Sequence, residues 1–499
     1  MTTWSDGYIT DITYTSGWYR QQSPPILSLA CLLGNADTTV PSDDDPIQVM
    51  ELGCGQGFGA LLMAASNPSW HITAIDFNPA HVAGARAWAA EAGLTNVTFM
   101  EADLSTLAED PAARDIPEAD FVTLHGIWTW VSASVQAGIV RLLRAKVRPG
   151  GIVHVSYNAL PAWGARMGMQ RLVHDSGRVL AGRSDRQAEE GFKITQALLA
   201  AGALHLRQPA SNVTLIEHFG QMPIPYLAHE FMNANWKPCF MADVAAAFSD
   251  AKLEWVGSSN LIENFPSLTL TDEQIAVQLR FDDPLLRELV KDLCIDRSFR
   301  HDVFVRGVRR ITPTARNAAL MDVSIGLTIR PHELPLEAGM PVGKAELNRA
   351  FYEPITQALA DGPHRVGDLL RAGNVQGRRD NPAELIGILV GLGFAEPAAR
   401  SDAAPGEAAM RFNRITTRRL LRNDKMNRPA AAASYRLGTA VAANLLELFV
   451  LDNVLDGNSD VDRLTDLIGP PPDQRPELRS AIDNVLRVRL PTLRACGVY

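Results

Sequence analysis

A short apolar run that stops at a cluster of glycines constrains the fold of this chain most. The run Ile47–Leu52 is followed at 53–57 by Gly-Cys-Gly-Gln-Gly. A run of this length predicts a buried strand, and the apolar spacing that resumes near Leu61 predicts a helix. Because glycine has no Cβ, backbone N–H groups in such a turn can approach a ligand closely. The pattern predicts the nucleotide-binding edge of a doubly wound α/β sheet.

Two classes of cofactor fit this turn, and acidic residues favour one of them. The segment Gly55–Ala60 can be aligned with the G-x-G-x-x-G/A pattern of dinucleotide sites. However, Glu51 lies at the end of the first predicted strand, and the next two predicted strands end in Asp76 and Asp103. Three carboxylates at one sheet edge suit a cationic ligand and would repel a pyrophosphate. Asp76 is placed to accept both ribose hydroxyls or, alternatively, only to cap the helix that follows it.

Composition argues against several other classes of protein. The 499 residues are enough for three or four domains, and 46% hydrophobic with 21% charged residues is ordinary for a globular protein. The net charge of −9 offers no electrostatic case for nucleic acid binding. The five cysteines form no C-x-x-C pair, which predicts no disulfide framework, no zinc site and a cytoplasmic location. We expect no signal peptide, because the first residues have neither a basic start nor an apolar core. We expect no membrane span, because Glu447 and Asp452 interrupt the longest apolar stretch.

The segment Glu51–Gly57 resembles the first motif of class I S-adenosylmethionine (AdoMet) methyltransferases. Further segments resemble the bacterial members of that class that carry a methyltransferase regulatory domain, and they are Ile224–Asn233, Trp236–Phe240, Leu253–Ser258 and Asp296–Asp302. The best-understood relatives are the rickettsial protein-lysine methyltransferases, which modify an outer-membrane protein. The resemblance covers most of the chain. It is specific for the cofactor and the architecture, and weaker for the methyl acceptor.

The resemblance implies AdoMet as the cofactor, S-adenosyl-L-homocysteine as its product, and a set of cofactor-binding residues. It favours a lid over the cofactor for the aromatic segment 6–19, although simple packing beside the sheet also explains that segment. In AdoMet enzymes an acid at the position of Asp103 typically binds the adenine amino group. The predicted cofactor-binding residues are Tyr8, Tyr14, Glu51, Gly53, Cys54, Gly55, Asp76, Phe77, Asp103, Leu104, His125 and Gly126.

Residues that follow the fourth and fifth predicted strands are candidates for positioning the methyl acceptor, because ligands of doubly wound sheets lie beyond the carboxyl ends of the strands. The candidates are Trp128, Tyr157 and Asn158. An aromatic face such as that of Trp128 attracts cations, including a methylated ammonium. Each candidate has an alternative: Trp128 and Trp130 as core residues, and Tyr157 and Asn158 as loop anchors. His125 is a cofactor contact, a general base, or a ring hydrogen-bonded to the backbone.

The predicted fold class is α/β, with a doubly wound, Rossmann-like class I methyltransferase core that carries a helical insertion. A winged-helix-like domain and an α-helical C-terminal domain follow it. The predicted divisions are a core with its lid at 1–165, an insertion that serves dimerisation in the relatives at 166–222, a regulatory segment that partly completes the core at 223–335, the winged-helix-like domain at 336–424 and the helical domain at 425–499.

Several local predictions accompany these divisions. Ser132 is predicted to cap the helix after the fourth strand, and 148–151 is predicted to be a turn. The stretch 297–310 is predicted to be a half-exposed strand, Phe394 and 410–412 are predicted wing strands, 425–429 is a hinge, and 430–455 is a helix.

Three functions stay open from the sequence. The first is methyl transfer from AdoMet to lysine side chains of a bacterial protein, such as an outer-membrane protein. The second is methylation of a small molecule. The third is DNA-associated regulation by the winged-helix-like part, with a vestigial nucleotide domain. For the first two we expect in-line transfer without a metal or a strong general base, and the sequence indicates no His/Cys/Asp cluster that would hold a metal. We predict a protein substrate, no nucleic acid partner and a homodimer.

Overall fold

The centre of the cofactor-binding half is a seven-stranded sheet. The structure is a computed structural model that describes residues 7–12, 17–41, 46–179, 182–208, 210–335, 337–340, 342–373, 381–422 and 429–499. Its strands are β1 Gln48–Leu52, β2 His71–Asp76, β3 Val97–Glu101, β4 Ala119–Leu124, β5 Val147–Asn158, β6 Leu253–Ser258, β7 Phe299–Arg306, β8 Ser324–Leu327, β9 Glu337–Met340, β10 Gly343–Glu346, β11 His364–Arg365, β12 Ala395–Pro397, β13 Pro429–Ser434 and β14 Thr439–Asn444.

The strand order in the large sheet confirms the predicted doubly wound core. The order is β3-β2-β1-β4-β5-β7-β6, and β1 to β5 run parallel to one another. The pairs β5–β7 and β7–β6 are antiparallel. The order reverses at β1 and β4, and ligands of doubly wound sheets bind beyond the carboxyl ends of the strands at this point.

The helices lie on both faces of this sheet and in the domains around it. They are α1 Pro24–Leu33, α2 Phe58–Ser66, α3 Pro79–Ala92, α4 Ala133–Lys146, α5 Met167–Val179, α6 Ser184–Ala200, α7 Ala210–His218, α8 Ile224–Phe231, α9 Met241–Ser249, α10 Pro266–Thr269, α11 Asp272–Gln278, α12 Pro284–Ile295, α13 Pro313–Met321, α14 Arg349–Ala358, α15 Val366–Gly373, α16 Pro382–Leu389, α17 Glu407–Leu420, α18 Leu445–Leu455, α19 Val461–Ile468, α20 Arg475–Asn484 and α21 Leu490–Ala495. No helix within the described ranges is both long and apolar enough to cross a membrane.

Side chains alternate between two buried faces of the sheet, as expected for parallel strands covered on both sides. Val49 and Phe121 point into a core that includes α1, α2 and α3, whereas Met50 and Val122 point into a core that includes α4 and α9. We call the first face the α1 face. Because Glu51 is two residues beyond Val49, it lies on the α1 face, at the carboxyl edge of the sheet.

The predicted helical insertion forms its own core. Helices α5 and α6 pack against α8 around buried residues that include Met169, Phe192 and Phe231. Two large apolar side chains of the insertion are strongly exposed, Val179 at 85% and Leu204 at 81%. Dimerisation through this insertion stays a prediction.

The segment 430–444 differs from its predicted helix. It forms the antiparallel hairpin β13–β14, and only α18 is helical as predicted. Alanine favours helices, but Ala431 and Ala433 are buried on one side of the hairpin and Ala432 on the other. Gly438 has a φ of +68°, which lets the chain turn at the hairpin tip. Burial on both sides of small residues decides the conformation here.

Four other local predictions were wrong or lie outside the described residues. Residues 410–412 lie in α17 rather than in a wing strand, and 148–151 belong to β5 rather than to a turn. The Ser132 hydroxyl contacts Ser134 and does not cap α4. Of the predicted hinge, 425–428 lie outside the described residues and Pro429 begins β13. The short sheet β11-β8-β12 packs near α14 to α16, and its winged-helix character stays a prediction.

Strand β7 is buried rather than half-exposed. Arg300 has no exposed side-chain surface, and its guanidinium forms ion pairs with Asp292, Asp302 and Glu288. The Nη1 to Asp292 Oδ1 distance is 2.6 Å, and the Nε to Asp302 Oδ2 distance is 2.8 Å. The alternation of charged and apolar residues in this strand therefore reflects buried ion pairs on one face, not solvent.

Candidate active site

The glycine turn between β1 and α2 has the backbone that a close ligand approach requires. Gly53, Gly55 and Gly57 have φ values of +67°, +53° and +76°. The N–H groups of Gly53 and Cys54 donate to the carbonyl of Ile75 at 2.7 and 3.0 Å, which ties the turn to β2. A Cβ added at Gly55 would meet no atom within 4 Å, so the surface above this residue is open. The turn offers a ligand bare backbone at the predicted position.

Glu51 places a buried carboxyl group at this turn. Glu51 is the penultimate residue of β1. Its side chain lies close to α2, because a Cβ added at Gly59 would be 3.3 Å from Oε1 of Glu51. Its Oε2 atom is buried and has no hydrogen-bond partner among the described residues. Burial, and secondarily Asp76, raise the pKa of Glu51 to about 8. An unpaired buried carboxylate oxygen favours a cationic ligand.

Asp76 lies at the end of β2 and holds the turn in place. Its Oδ2 accepts the Gly55 N–H at 2.8 Å, and its Oδ1 accepts the Asn78 N–H at 2.9 Å and lies 3.3 Å from His81 Nδ1. Asn78, rather than Asp76, caps α3 through its side chain. Asp76 is therefore fixed beside the glycine turn, where it was predicted to accept ribose hydroxyls.

The other predicted cofactor residues that the structure describes follow the carboxyl ends of the strands or precede the sheet. The Tyr8 ring meets Phe77 edge to face, with ring centroids 5.6 Å apart, and the lid over the cofactor stays a prediction. Asp103 is exposed and accepts the Ser105 N–H, whereas Leu104 beside it is buried. Cys54 and Leu104 contribute apolar surface, and Gly126 has a φ of +64° with open space at its Cβ position. Tyr14 lies outside the described residues.

His125 lies in a cluster of histidines that the sequence analysis missed. The ligand nitrogens of His125, His154 and His301 all lie within 4.8 Å of one another, and His154 Nε2 is 3.3 Å from His301 Nδ1. The prediction that the chain has no such cluster was wrong, because the three residues are far apart in sequence and meet only through β4, β5 and β7. Burial lowers the pKa of all three imidazoles, to about 4 for His301.

This arrangement allows two chemical states. Three neutral imidazoles can hold one divalent ion such as Zn²⁺, for which two ligand nitrogens at tetrahedral positions are roughly 3.4 Å apart. The same spacing suits a weak hydrogen bond between neutral rings. His125 Nδ1 also lies 2.9 Å from the Ser156 hydroxyl, which accepts the Gly126 N–H. The Tyr19 ring covers His125 with a centroid distance of 3.8 Å.

The predicted acceptor residues are placed differently from one another. Trp128 is buried and packs edge to face against Phe248, with ring centroids 5.2 Å apart. This packing fits the alternative prediction that Trp128 is a core residue. The Tyr157 hydroxyl donates to the buried Asp302, on the sheet face opposite to the cofactor residues. Asn158 lies on the α1 face at the end of β5 and is buried. Of the three candidates, only Asn158 lies on the α1 face of the sheet, with Glu51.

Glu230 was missed as a site residue. It lies in α8, is buried, and accepts from Asn158 Nδ2 at 3.4 Å. Burial raises its pKa to about 7. The sequence did contain a signal, because Glu230 belongs to a segment that was singled out for its family resemblance, but no local pattern showed that α8 packs against the end of β5.

Two protein families and several known proteins match this chain. A family described as "Methyltransferase domain" matches residues 49–151, and one described as "Predicted methyltransferase regulatory domain" matches residues 224–306. An uncharacterized protein of Synechocystis is 31% identical over 452 residues, which cover 90% of this chain and 88% of that protein. An uncharacterized protein of Rickettsia prowazekii is 20% identical over 344 residues, or 68% of this chain and 59% of that protein.

Among solved structures, PKMT2 from Rickettsia typhi in complex with AdoHcy shares the fold with a TM-score of 0.71. The likeness covers 97% of this chain and 99% of that chain, at 16% sequence identity.

Proposed function

Because this chain belongs to the class I AdoMet-dependent methyltransferases that carry a methyltransferase regulatory domain, we propose that it transfers methyl groups to lysine side chains of a protein. The observation that carries the proposed acceptor is the extent of the likeness to PKMT2. It includes the insertion and the C-terminal domains, which lie outside the cofactor core. Domains of this kind around a methyltransferase core suit a large acceptor.

The cofactor residues fit AdoMet. The unpaired Oε2 of Glu51 can bind the ammonium group of the methionine part, Asp76 the ribose hydroxyls, and the open backbone at Gly55 allows close approach. We propose that Tyr8, Phe77, Asp103 and the other cofactor residues predicted from the sequence also bind AdoMet. When bound, AdoMet supplies an electrophilic methyl group on a sulfonium. The chain then contributes by holding the acceptor close to that methyl group and in line with it.

The pH dependence of AdoMet binding tests the role of Glu51. A cationic ligand favours the ionised carboxylate, whereas the pKa of about 8 leaves Glu51 largely protonated in the free protein near neutrality. We therefore expect affinity to rise about tenfold per pH unit between about pH 6 and pH 7.5, with release of close to one proton. Calorimetry in two buffers of different ionisation enthalpy measures both quantities. An affinity independent of pH in this range would contradict the assignment.

The raised pKa of Glu51 also affects the free energy of unfolding. The pKa of Glu51 is raised from 4.5 in the folded protein, so the native state keeps a proton that the unfolded chain releases. The contribution of Glu51 to the free energy of unfolding therefore falls as the pH rises from about 4.5 to about 8. Glu51→Gln, which cannot ionise, should remove this dependence and flatten the pH profile of AdoMet binding.

Isotope labelling tests the protein acceptor. We expect incubation with methyl-labelled AdoMet and a bacterial membrane-protein fraction to label a protein band, and mass spectrometry to place the label on lysine. Asp76→Ala should label at most about one hundredth as much, because it lacks the ribose acceptor. Label that appears only in the low-mass fraction would contradict the proposal and favour a small-molecule acceptor.

The third function considered from the sequence, a DNA-associated regulator with a vestigial nucleotide domain, has no support. The chain is an AdoMet-dependent methyltransferase, and its cofactor turn keeps the glycines and carboxylates of that class. Helix α16, which lies in the predicted winged-helix-like domain, contains no lysine or arginine that could contact a DNA backbone.

A further inference from the structure

Glu230 is a buried carboxylate that forms no ion pair with any residue the structure describes. Its side chain is in α8, in the regulatory segment, and the residue is only 9% exposed. The hydrogen bond from Asn158 Nδ2 to Oε2 is long, at 3.4 Å, and no positively charged group of the described chain shifts the pKa of Glu230. A buried carboxylate is costly unless a positive charge or several hydrogen bonds compensate it. A ligand with an ammonium group would supply that compensation.

The charge of Glu230 acts on three tyrosines near the predicted cofactor site. Its negative charge raises the pKa of Tyr8, Tyr19 and Tyr226, in each case as a smaller effect than burial. Asp76 acts on Tyr8 as well, so Tyr8 lies near both carboxylates. The Tyr19 ring covers His125 at the end of β4.

The hydrogen bond from Asn158 places Glu230 at the carboxyl end of β5. The Tyr8 ring lies between this part of α8 and the residues that follow β2, with its centroid 5.9 Å from that of His229, beside Glu230, and 5.6 Å from that of Phe77. Glu230 therefore lies at the carboxyl edge of the sheet. That is the place where a methyl acceptor must meet the cofactor. Aromatic rings beside a carboxylate favour an ammonium group over a neutral or anionic acceptor.

We propose that Glu230 binds the ammonium group of the acceptor and takes a proton from it. An N–H bond breaks and a carboxyl O–H bond forms, which leaves a neutral amine. The amine nitrogen then bonds to the methyl carbon as the carbon–sulfur bond breaks, and that electron pair stays on sulfur. The methylated product leaves as an ammonium ion, and the protonated Glu230 releases to solvent the one proton that it took. The inference rests on the proposed function and gives its acceptor site a chemical class, an alkylammonium.

The assignment gives the regulatory segment a direct part in the reaction. Helix α8 brings its carboxylate to the end of β5, where Asn158 donates a hydrogen bond to it. A base of this kind is effective when its pKa is near the working pH, and burial places the pKa of Glu230 at about 7.

Binding of n-butylammonium to the full chain saturated with S-adenosylhomocysteine tests the proposal. We expect millimolar binding of n-butylammonium, observed by saturation-transfer NMR, and none of n-butanol, which has the same shape without the charge. Glu230→Gln should weaken n-butylammonium binding at least tenfold and leave the affinity for S-adenosylhomocysteine within about twofold. Glu217→Gln is the matched control, because Glu217 is an exposed glutamate of the neighbouring α7 and should change neither affinity.

Each other outcome also decides the question. Equal binding of n-butylammonium by the wild type and Glu230→Gln, or no binding by the wild type, would overturn the proposal. If Glu230→Gln does not fold, Glu230→Asp keeps the charge and should retain binding within about fivefold, and a complete loss there would count against it. Failure of the protein-labelling experiment with intact, Glu230-dependent n-butylammonium binding would refute the protein acceptor alone.

Discussion

Replacing Arg300 by methionine is expected to lower the free energy of unfolding by about 3–5 kcal/mol, the largest stability effect that we foresee in this chain. The guanidinium is completely buried and contacts three carboxylates, those of Asp292, Asp302 and Glu288. Methionine fills similar volume but leaves these carboxylates without their shared cation. Glu288 would still pair with Lys291, and Asp292 with Arg297. Asp302, however, would have no cationic partner left among the described residues, and an unpaired buried charge is strongly destabilising.

The Arg300 cluster joins several elements, so its loss should destabilise the packing of several strands of the large sheet. Asp302 also accepts from the Tyr157 hydroxyl of β5 and from Trp255 Nε1 of β6, the latter at 3.0 Å. Lys291 and Arg300 outweigh the effect of burial and hold the pKa of Glu288 at about 2, so this carboxylate stays ionised. The cluster therefore fastens β7 and α12, of the regulatory segment, to the cofactor core.

Urea denaturation followed by tryptophan fluorescence measures the effect. The matched control is Arg309→Met, since Arg309 pairs with Asp37 but its side chain is 82% exposed. An exposed pair contributes at most about 1 kcal/mol, so this variant should unfold close to the wild type. Equal destabilisation by the two substitutions would show that the buried cluster has no special role.

Asp76→Ala is expected to weaken AdoMet binding about 100-fold, the largest effect on the cofactor. Hydrogen bonds to a charged group contribute roughly 1.5–3 kcal/mol each, and the carboxylate is placed to accept from ribose hydroxyls. The substitution also removes the acceptor of the Gly55 N–H, at 2.8 Å, and so loosens the glycine turn. Both consequences act on the bound cofactor rather than on the acceptor.

Calorimetry with AdoMet measures this loss. Asp110→Ala is a suitable control, because Asp110 likewise accepts a backbone N–H, from Ala112 at 2.8 Å, but lies in an exposed loop. Its affinity for AdoMet should equal that of the wild type. An Asp76→Ala variant with wild-type affinity would contradict the site described above.

The sequence contained the local part of this site. Strand β1, the glycine turn and α2 follow one another within about twenty residues, and their apolar spacing and glycines are sufficient to predict them. The carboxylates Glu51, Asp76 and Asp103 could be placed at one edge, because parallel strands of a doubly wound sheet end at the same side. Asn158 could be named for the same reason.

Other local patterns were ambiguous, because the same residues suit more than one environment. The alternating charges of β7 predicted a solvent face, yet Asp302 lies in the interior with Arg300. The alanines at 430–433 predicted a helix, yet they form a buried hairpin. In both cases contacts with distant segments outweighed local propensity.

The sequence by itself determined the cofactor turn and its acidic edge, since each is written in a few consecutive residues. Tertiary structure alone decided which side chains meet across that edge. His154 and His301 are 147 residues apart, Tyr157 and Asp302 are 145 apart, and Asn158 and Glu230 are 72 apart. No local periodicity encodes such pairs. They form because β7 and α8 return to the sheet and bury polar groups that only one another, or a ligand, can satisfy.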